Sequence, residues 1–191
     1  MMNKTRHLAL GIAVILLLLG VNSTANAATA NANVVVTVAA SAAISATPSV
    51  TLTTPATPFT GSYTGATVLT FSIRTTPTTG SGSLTVKGTT DFTPGTSGDV
   101  GPTIAAGNLT YTCASSDLTT GSGSGLTGSL VYCNGGSPVV SMTTSTNVLT
   151  AIGAKSNAGG DALNVHWTVP DSAVYNVDTY TATVTFTLTA N

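Results

Sequence analysis

The sequence predicts an all-β protein: an antiparallel, immunoglobulin-like β-sandwich of about nine strands that follows a cleaved signal peptide. Threonine, which favours strands, occurs 39 times among the 191 residues, and glutamate and glutamine, which favour helices, do not occur. The stretch 178–191 alternates threonine with apolar residues, as a strand with one buried face does. Turn residues recur at about every eight to twelve positions, a spacing typical of sandwiches.

Residues 1–27 have the form of a Sec-type signal peptide. Lys4 and Arg6 precede the apolar run Leu8 to Val21, and Ala25-Asn26-Ala27 matches the small-x-small pattern of a signal peptidase site. The run has 14 residues, fewer than the roughly 20 that a membrane-spanning helix needs. We therefore expect cleavage after Ala27 and export to the periplasm, the cell surface or the medium, with no stable membrane span in the mature form. A cut a few residues later and an uncleaved anchor are the alternatives.

The charge of the mature chain restricts its partners. Residues 28–191 suit a single domain with its own core. They carry three basic side chains and six acidic ones. So few cations cannot neutralise a phosphate backbone, which excludes nucleic acid as a partner.

Alternating apolar residues define the strands in order. The first runs from Asn33 to Ile44, with Val34, Val36 and Val38 on one face. Proline- and glycine-rich turns separate it from further strands, predicted at 49–53, 66–75, 83–87, 109–113, 129–133, 139–143, 148–152, 162–169 and 178–191. The side chains expected in the core are Phe71, Trp167, Tyr180, Val184, Phe186 and Leu188.

Two long polar segments, 88–102 and 114–128, interrupt this series and predict surface loops. Binding residues are often found on such loops. Phe92 is their only aromatic residue, whereas sugar recognition commonly uses several aromatic rings. Binding through these loops therefore remains the second interpretation.

Cys113 and Cys133 are the only cysteines, and they flank the second loop. In an exported chain an even pair most often forms a disulfide. Closing a loop of this length contributes roughly 3 kcal/mol in models that place the gain in the unfolded state. We expect a structural disulfide.

Residues that could carry catalysis or bind metal are scarce. His166 is the only histidine after the signal peptide, and no G-x-S-x-G motif surrounds a serine. Asp91, Asp99 and Asp161 lie among glycines and could bind calcium, but the D-x-D-x-D-G pattern is absent. We predict no catalytic residue, no metal site and no cofactor, and therefore not an enzyme.

Both ends of the chain resemble a known group of proteins. The stretch A-N-V-V-V-T-V-A-A-S-A-A-I-S-A-T-P, at 32–48, resembles the first strand of bacterial exported pilin-like proteins, including the spore coat protein U type. The stretch V-Y-N-V-D-T-Y-T-A-T-V-T-F-T-L-T-A, at 174–190, is similar to their terminal strand.

This resemblance implies a non-enzymatic structural subunit of the cell surface that joins itself or other surface proteins by strand addition. An unpaired strand edge can accept a strand from another chain. Val34, Val36 and Val38 mark the candidate assembly strand, although pairing of this strand within its own domain is the alternative. The second function hypothesis is an adhesin or glycan-binding module that uses loops 88–102 and 114–128.

Overall fold

The computed structural model describes residues 32–96, 102–121, 126–156 and 159–191. The chain divides into a short N-terminal unit, Met1–Thr37, and a compact unit, Val38–Asn191. The predicted signal peptide, 1–27, lies outside the described residues. In the first unit, residues 32–37 are exposed and carry no regular secondary structure.

The compact unit is all-β and antiparallel, which confirms the predicted fold class. Its described residues form three short 3₁₀ helices, Ala106–Asn108, Ser115–Asp117 and Cys133–Gly135, and eleven strands. The strands are β1 (Ser41–Ala46), β2 (Ser62–Arg74), β3 (Ser81–Gly88), β4 (Thr93–Pro94), β5 (Thr110–Thr112), β6 (Leu118–Thr120), β7 (Thr127–Tyr132), β8 (Thr146–Lys155), β9 (Asp161–Pro170), β10 (Tyr180–Thr181) and β11 (Val184–Ala190).

Nine strands form one hydrogen-bonded sheet that folds into two layers. In the first layer β2 pairs with β1 and β9, and the far edge of β9 holds β5 and β6. The second layer has the order β11-β3-β8-β7. A single residue pair, Arg74 with Lys155, connects the layers at one corner. The other two strands, β4 and β10, pair with each other.

The core lies between the two layers. Alternate residues of β2 and β9 face alternate residues of β3 and β8, and the buried side chains form one apolar cluster. Trp167 of β9 packs on Phe186 of β11 across the layers, with ring centroids 6.0 Å apart. Its indole Nε1–H donates a 2.7 Å hydrogen bond to the buried Thr67 hydroxyl, so the one polar atom of the ring is satisfied.

The first strand begins later than the sequence predicts. The expected strand at 33–44 starts only at Ser41, and the prediction is wrong for residues 33–40. Alternation of apolar residues makes a segment suitable for a sheet, but a strand exists only where a second strand pairs with its main chain. β1 obtains that partner from β2, with Ala42 opposite Ile73 and Ala46 opposite Leu69.

The last strand, expected to run unbroken from 178 to 191, is divided in two. β10 pairs with β4, whereas β11 pairs with β3. At the break, the carbonyl oxygen of Thr183 accepts hydrogen bonds from the main-chain N–H groups of Thr89 and Thr90. The chain changes partners here, a feature that an unbroken alternation of side chains cannot reveal.

Three smaller predictions also change. The segment 61–65, expected to be a turn, is largely the start of β2. Its Gly65 permits a close approach, because a Cβ there would lie 2.8 Å from the Leu52 side chain. The short strands expected at 49–53 and 139–143 are reduced to single bridges at Thr53 and Val139.

Candidate functional site

The predicted assembly residues lie N-terminal to β1. The exposed fractions of Val34, Val36 and Val38 are 88%, 77% and 63%, and Val35 between them is also exposed. Single exposed apolar residues are ordinary on a protein surface, but consecutive ones are not. This part of the chain therefore presents an apolar face to solvent.

β1 and β11 form the second part of a candidate assembly site. They lie side by side, and among the described residues β1 pairs only with β2 and β11 only with β3. Their adjacent edges are thus free of main-chain pairing within the described chain. We call the inward-facing residues of these two strands the terminal seam: Ala42, Ile44, Ala46, Val184, Phe186, Leu188 and Ala190.

The terminal seam is incompletely covered. Ala42 and Ala46 are exposed although they lie opposite buried residues of β2, and the seam residues of β11 are all half-buried. Of the predicted core residues, Phe71 and Trp167 are buried, whereas Tyr180, Val184, Phe186 and Leu188 pack on the core but are half-exposed. The alanines of β1 are too small to cover β11, so the apolar face of β11 remains partly open to water.

The predicted disulfide is confirmed. Cys113 and Cys133 are bonded, with Cα atoms 5.6 Å apart, and Cys133 is fully buried. Cys113 follows β5 in the first layer and Cys133 follows β7 in the second. The bond therefore fastens the two layers together.

The two predicted binding loops provide little aromatic surface. Phe92 is half-buried, packs against the core and exchanges main-chain hydrogen bonds with Ile104. Residues 97–101 and 122–125 of these loops lie outside the described residues. The described parts of the loops offer no exposed ring on which a ligand could stack.

His166 pairs with an aspartate. Its Nε2 lies 3.0 Å from Oδ1 of Asp117, whose Oδ2 accepts a 2.8 Å hydrogen bond from the main-chain N–H of Ala114. The hydrogen bond from His166, with that from Ala114 and the positive charge of a protonated ring, lowers the pKa of Asp117 although partial burial opposes the shift. The pair links the segment before β6 to β9, and the hydrogen bonds of the described residues bring no serine to His166.

The two described aspartates considered for calcium, Asp91 and Asp161, bind different parts of the main chain. Asp91 accepts a hydrogen bond from the main-chain N–H of Ala106, and Asp99 lies outside the described residues. Asp161 is buried; its Oδ1 accepts a 3.4 Å hydrogen bond from the N–H of Gly121, and its Oδ2 has no partner in the described chain. The described residues contain no group of three or more histidine, cysteine, aspartate or glutamate side chains suited to a metal ion.

An aromatic surface that the sequence reasoning missed lies at one end of the sandwich. We call it the aromatic end: Phe59, Tyr63, Tyr175 and Tyr180, together with Asp171, which accepts a hydrogen bond from the main chain of Phe59. The Tyr175 and Tyr180 rings are 6.3 Å apart, and the three tyrosines are half-buried against the core. Burial, the hydrogen-bonding interaction with the nearby Asp171 carboxylate and the charge of that carboxylate raise the pKa of Tyr63.

Segments next to β2, β9 and β10 build the aromatic end. Asp171, which directly follows β9, accepts a 2.7 Å hydrogen bond from the main-chain N–H of Phe59. The Tyr180 hydroxyl hydrogen-bonds to both main-chain groups of Asn176, as in a tyrosine corner, and so orders the loop before β10. Aromatic residues in turn-rich segments were the signal available in the sequence, but 112 positions separate Phe59 from Asp171.

Comparisons with protein families, curated proteins and solved structures found no match. Within the described ranges, no helix is both long and apolar enough to cross a membrane.

Proposed function

We propose that this protein is an exported, non-enzymatic structural subunit of the cell surface that joins copies of itself by strand addition. In this proposal residues 32–40 of one copy are the donor and the terminal seam of the next copy is the acceptor. The product is a chain of sandwiches in the manner of pilin-like or coat proteins.

The exposed valines before β1 are the observation that carries the proposal. Val34, Val36 and Val38 have the alternation of a strand and the composition of a buried face, yet they are exposed and belong to no strand. A segment with these properties gains main-chain hydrogen bonds and apolar contacts when it pairs with a free strand edge.

The proposed acceptor, the terminal seam, has apolar residues that are not fully covered. The apolar face of β11 is half-buried, and the facing positions of β1 are alanines on each side of Ile44. Burying one valine completely contributes about 1.5–3 kcal/mol, so three inserted valines contribute roughly 4.5–9 kcal/mol, which offsets the cost of ordering the donor, about 2–5 kcal/mol. Association also covers strand edges that could otherwise pair with other chains and cause aggregation.

Two sequence features support export. Residues 1–27 have the form of a signal peptide. A disulfide bond is typical of proteins that fold in the periplasm or outside the cell. An oxidising location on the cell surface agrees with a role in a surface structure.

The proposal is tested with two matched triple variants of the exported protein. Val34, Val36 and Val38 are changed to serine in the first, and Val35, Thr37 and Ala39, on the opposite face, in the second. We expect the wild type and the second variant to form concentration-dependent oligomers or fibres, and the first variant to remain monomeric. Light scattering after size exclusion and negative-stain microscopy measure the difference.

Neither variant alters a residue of the eleven strands, so both should fold, and circular dichroism checks this. The proposal is wrong if the wild type stays monomeric at high concentration, or if both variants assemble alike. Deleting 28–44 would be a poorer test, because it removes much of β1 and its pairing with β2.

A second candidate function is binding of a glycan, as in an adhesin. No observation favours loops 88–102 and 114–128 for this role, since Phe92 packs inward. The aromatic end is a different surface from these loops.

A further inference from the structure

We propose that the aromatic end is a binding site for a neutral glycan, with Phe59 and Tyr175 as the stacking rings and Asp171 as the central acceptor group. The site does not depend on strand addition, because the donor residues 32–40 are not part of it. It would give the subunit a ligand of its own.

The chemistry of the surface suits a sugar. A pyranose ring has an apolar C–H face, which packs on an aromatic ring, and a rim of hydroxyls, which need hydrogen-bond partners. At the aromatic end the Tyr175 and Tyr180 rings pack together, and the Asp171 carboxylate interacts with the Tyr63 hydroxyl and with the main-chain N–H of Phe59. Both kinds of contact are therefore available within one small area.

The backbone conformation of Phe59 supports a binding role for its exposed ring. Phe59 is 63% exposed and has a φ of 64°, in the left-handed region that a bulky residue rarely adopts. Such a conformation is strained and persists only where its surroundings enforce it. Here the Asp171 carboxylate accepts a hydrogen bond from the main-chain N–H of Phe59. The main-chain N–H of Gly61 donates a hydrogen bond to the carbonyl oxygen of Thr57, which closes the turn. The fold thus accepts strain and exposes an apolar ring at the same position.

The size of the surface favours a sugar over a folded protein partner. Besides the four rings, the adjoining loop adds the exposed Val174 and Val177. Stable protein–protein interfaces use about 20–30 residues on each side, whereas the apolar residues named for the aromatic end are four rings and two valines. A few sugar units, by contrast, cover only a few rings.

The test measures binding of the full chain to neutral glycans: insoluble cellulose and chitin by pull-down, and soluble glucans, galactans and mannans by affinity electrophoresis. Phe59→Gly is the decisive variant. Glycine adopts a positive φ without strain, so this change should keep or raise the melting temperature while it weakens binding at least tenfold. Tyr175→Ala should also weaken binding.

Val131→Ala, on the exposed face of β7, is the matched control and should bind like the wild type. Normal binding by the Val34, Val36 and Val38 serine variant separates this proposal from the assembly proposal. The glycan site is wrong if the wild type binds none of these glycans, or if Phe59→Gly and Tyr175→Ala bind normally. It is also wrong if Phe59→Gly unfolds the protein, or if this surface instead captures a second copy of the chain.

Discussion

At the scale of single residues, one buried hydrogen bond sets the position of the central aromatic ring. Trp167 lies between Tyr111 and Phe186, with each ring centroid 6.0 Å away, and its indole N–H reaches only the hydroxyl of Thr67. A threonine at a buried position of β2 would ordinarily be a poor choice. The hydrogen bond that Thr67 accepts from the Trp167 indole explains why a threonine occupies this buried position.

Replacing that threonine should destabilise the protein. Thr67→Val keeps the branched shape but leaves the Trp167 N–H buried without an acceptor, which costs about 1–3 kcal/mol. Urea unfolding followed by tryptophan fluorescence measures the loss. Thr185→Val, on the exposed face of β11, is the control and should change stability by less than about 0.5 kcal/mol. Equal effects of the two changes would contradict this account of the hydrogen bond.

The pair of Asp117 and His166 should make stability depend on acid pH. The pKa of Asp117 is lower in the folded protein than its ordinary value of 3.8, so the carboxylate stabilises the fold above that pH. This contribution is lost as the pH falls through the lowered pKa. Because the pair is partly exposed, its contribution to the free energy of unfolding should stay below about 1 kcal/mol.

Urea unfolding of the wild type and Asp117→Asn, between about pH 7 and pH 2, measures this effect. We expect the wild type to be more stable near neutral pH and the difference to shrink in acid. His166→Asn should show the same behaviour, since it removes the group that contributes most to the shift. A difference in unfolding free energy between wild type and variant that does not change with pH would contradict this role of the Asp117–His166 pair.

At the scale of elements, the disulfide connects the very short β5 to the longer β7. β5 has three residues, so it offers few main-chain hydrogen bonds of its own. The bond between Cys113 and Cys133 ties its end to the end of β7 in the other layer. A short strand gains more from such a tie than a long one.

Removing the disulfide should therefore be costly. The double variant Cys113→Ala, Cys133→Ala reopens a loop that spans 20 positions, and we expect a loss of about 3 kcal/mol in urea unfolding. Mass spectrometry after alkylation of the native wild type should find neither thiol free. Stability equal to that of the wild type, or labelling of both cysteines, would show that the bond does not contribute.

At the scale of the whole molecule, the weakness of this sandwich is its terminal edges. The central strands β2, β3, β8 and β9 are paired on both sides, whereas β1 and β11 are paired on one side in the described chain. Natural sheets usually protect such edges with charged residues, prolines or bulges. β1 and β11 contain none of the chain's five basic or six acidic residues. Edges without such protection are what the proposed strand addition needs.

The aromatic end shows why part of the proposed function could not be predicted from the sequence. Phe59, Tyr63 and Tyr175 looked unremarkable in the sequence because they lie in segments rich in turns and far apart along the chain. Their grouping depends on the pairing of β2 with β9, which places Ser62 opposite Pro170. A site made of side chains distant in sequence appears only when the register of the strands is known.

The sequence by itself determined the all-β class, the alternation that separates buried from solvated faces, and the disulfide, because each depends on composition or on local spacing. Only the tertiary structure decided where strands begin and end, since a strand needs a partner. Among the described residues, 33–40 have no partner strand, and the predicted last strand is divided at Thr183. Pairing is a long-range property of the chain, and the same pairing brought β1 beside β11 and gathered the residues of the aromatic end.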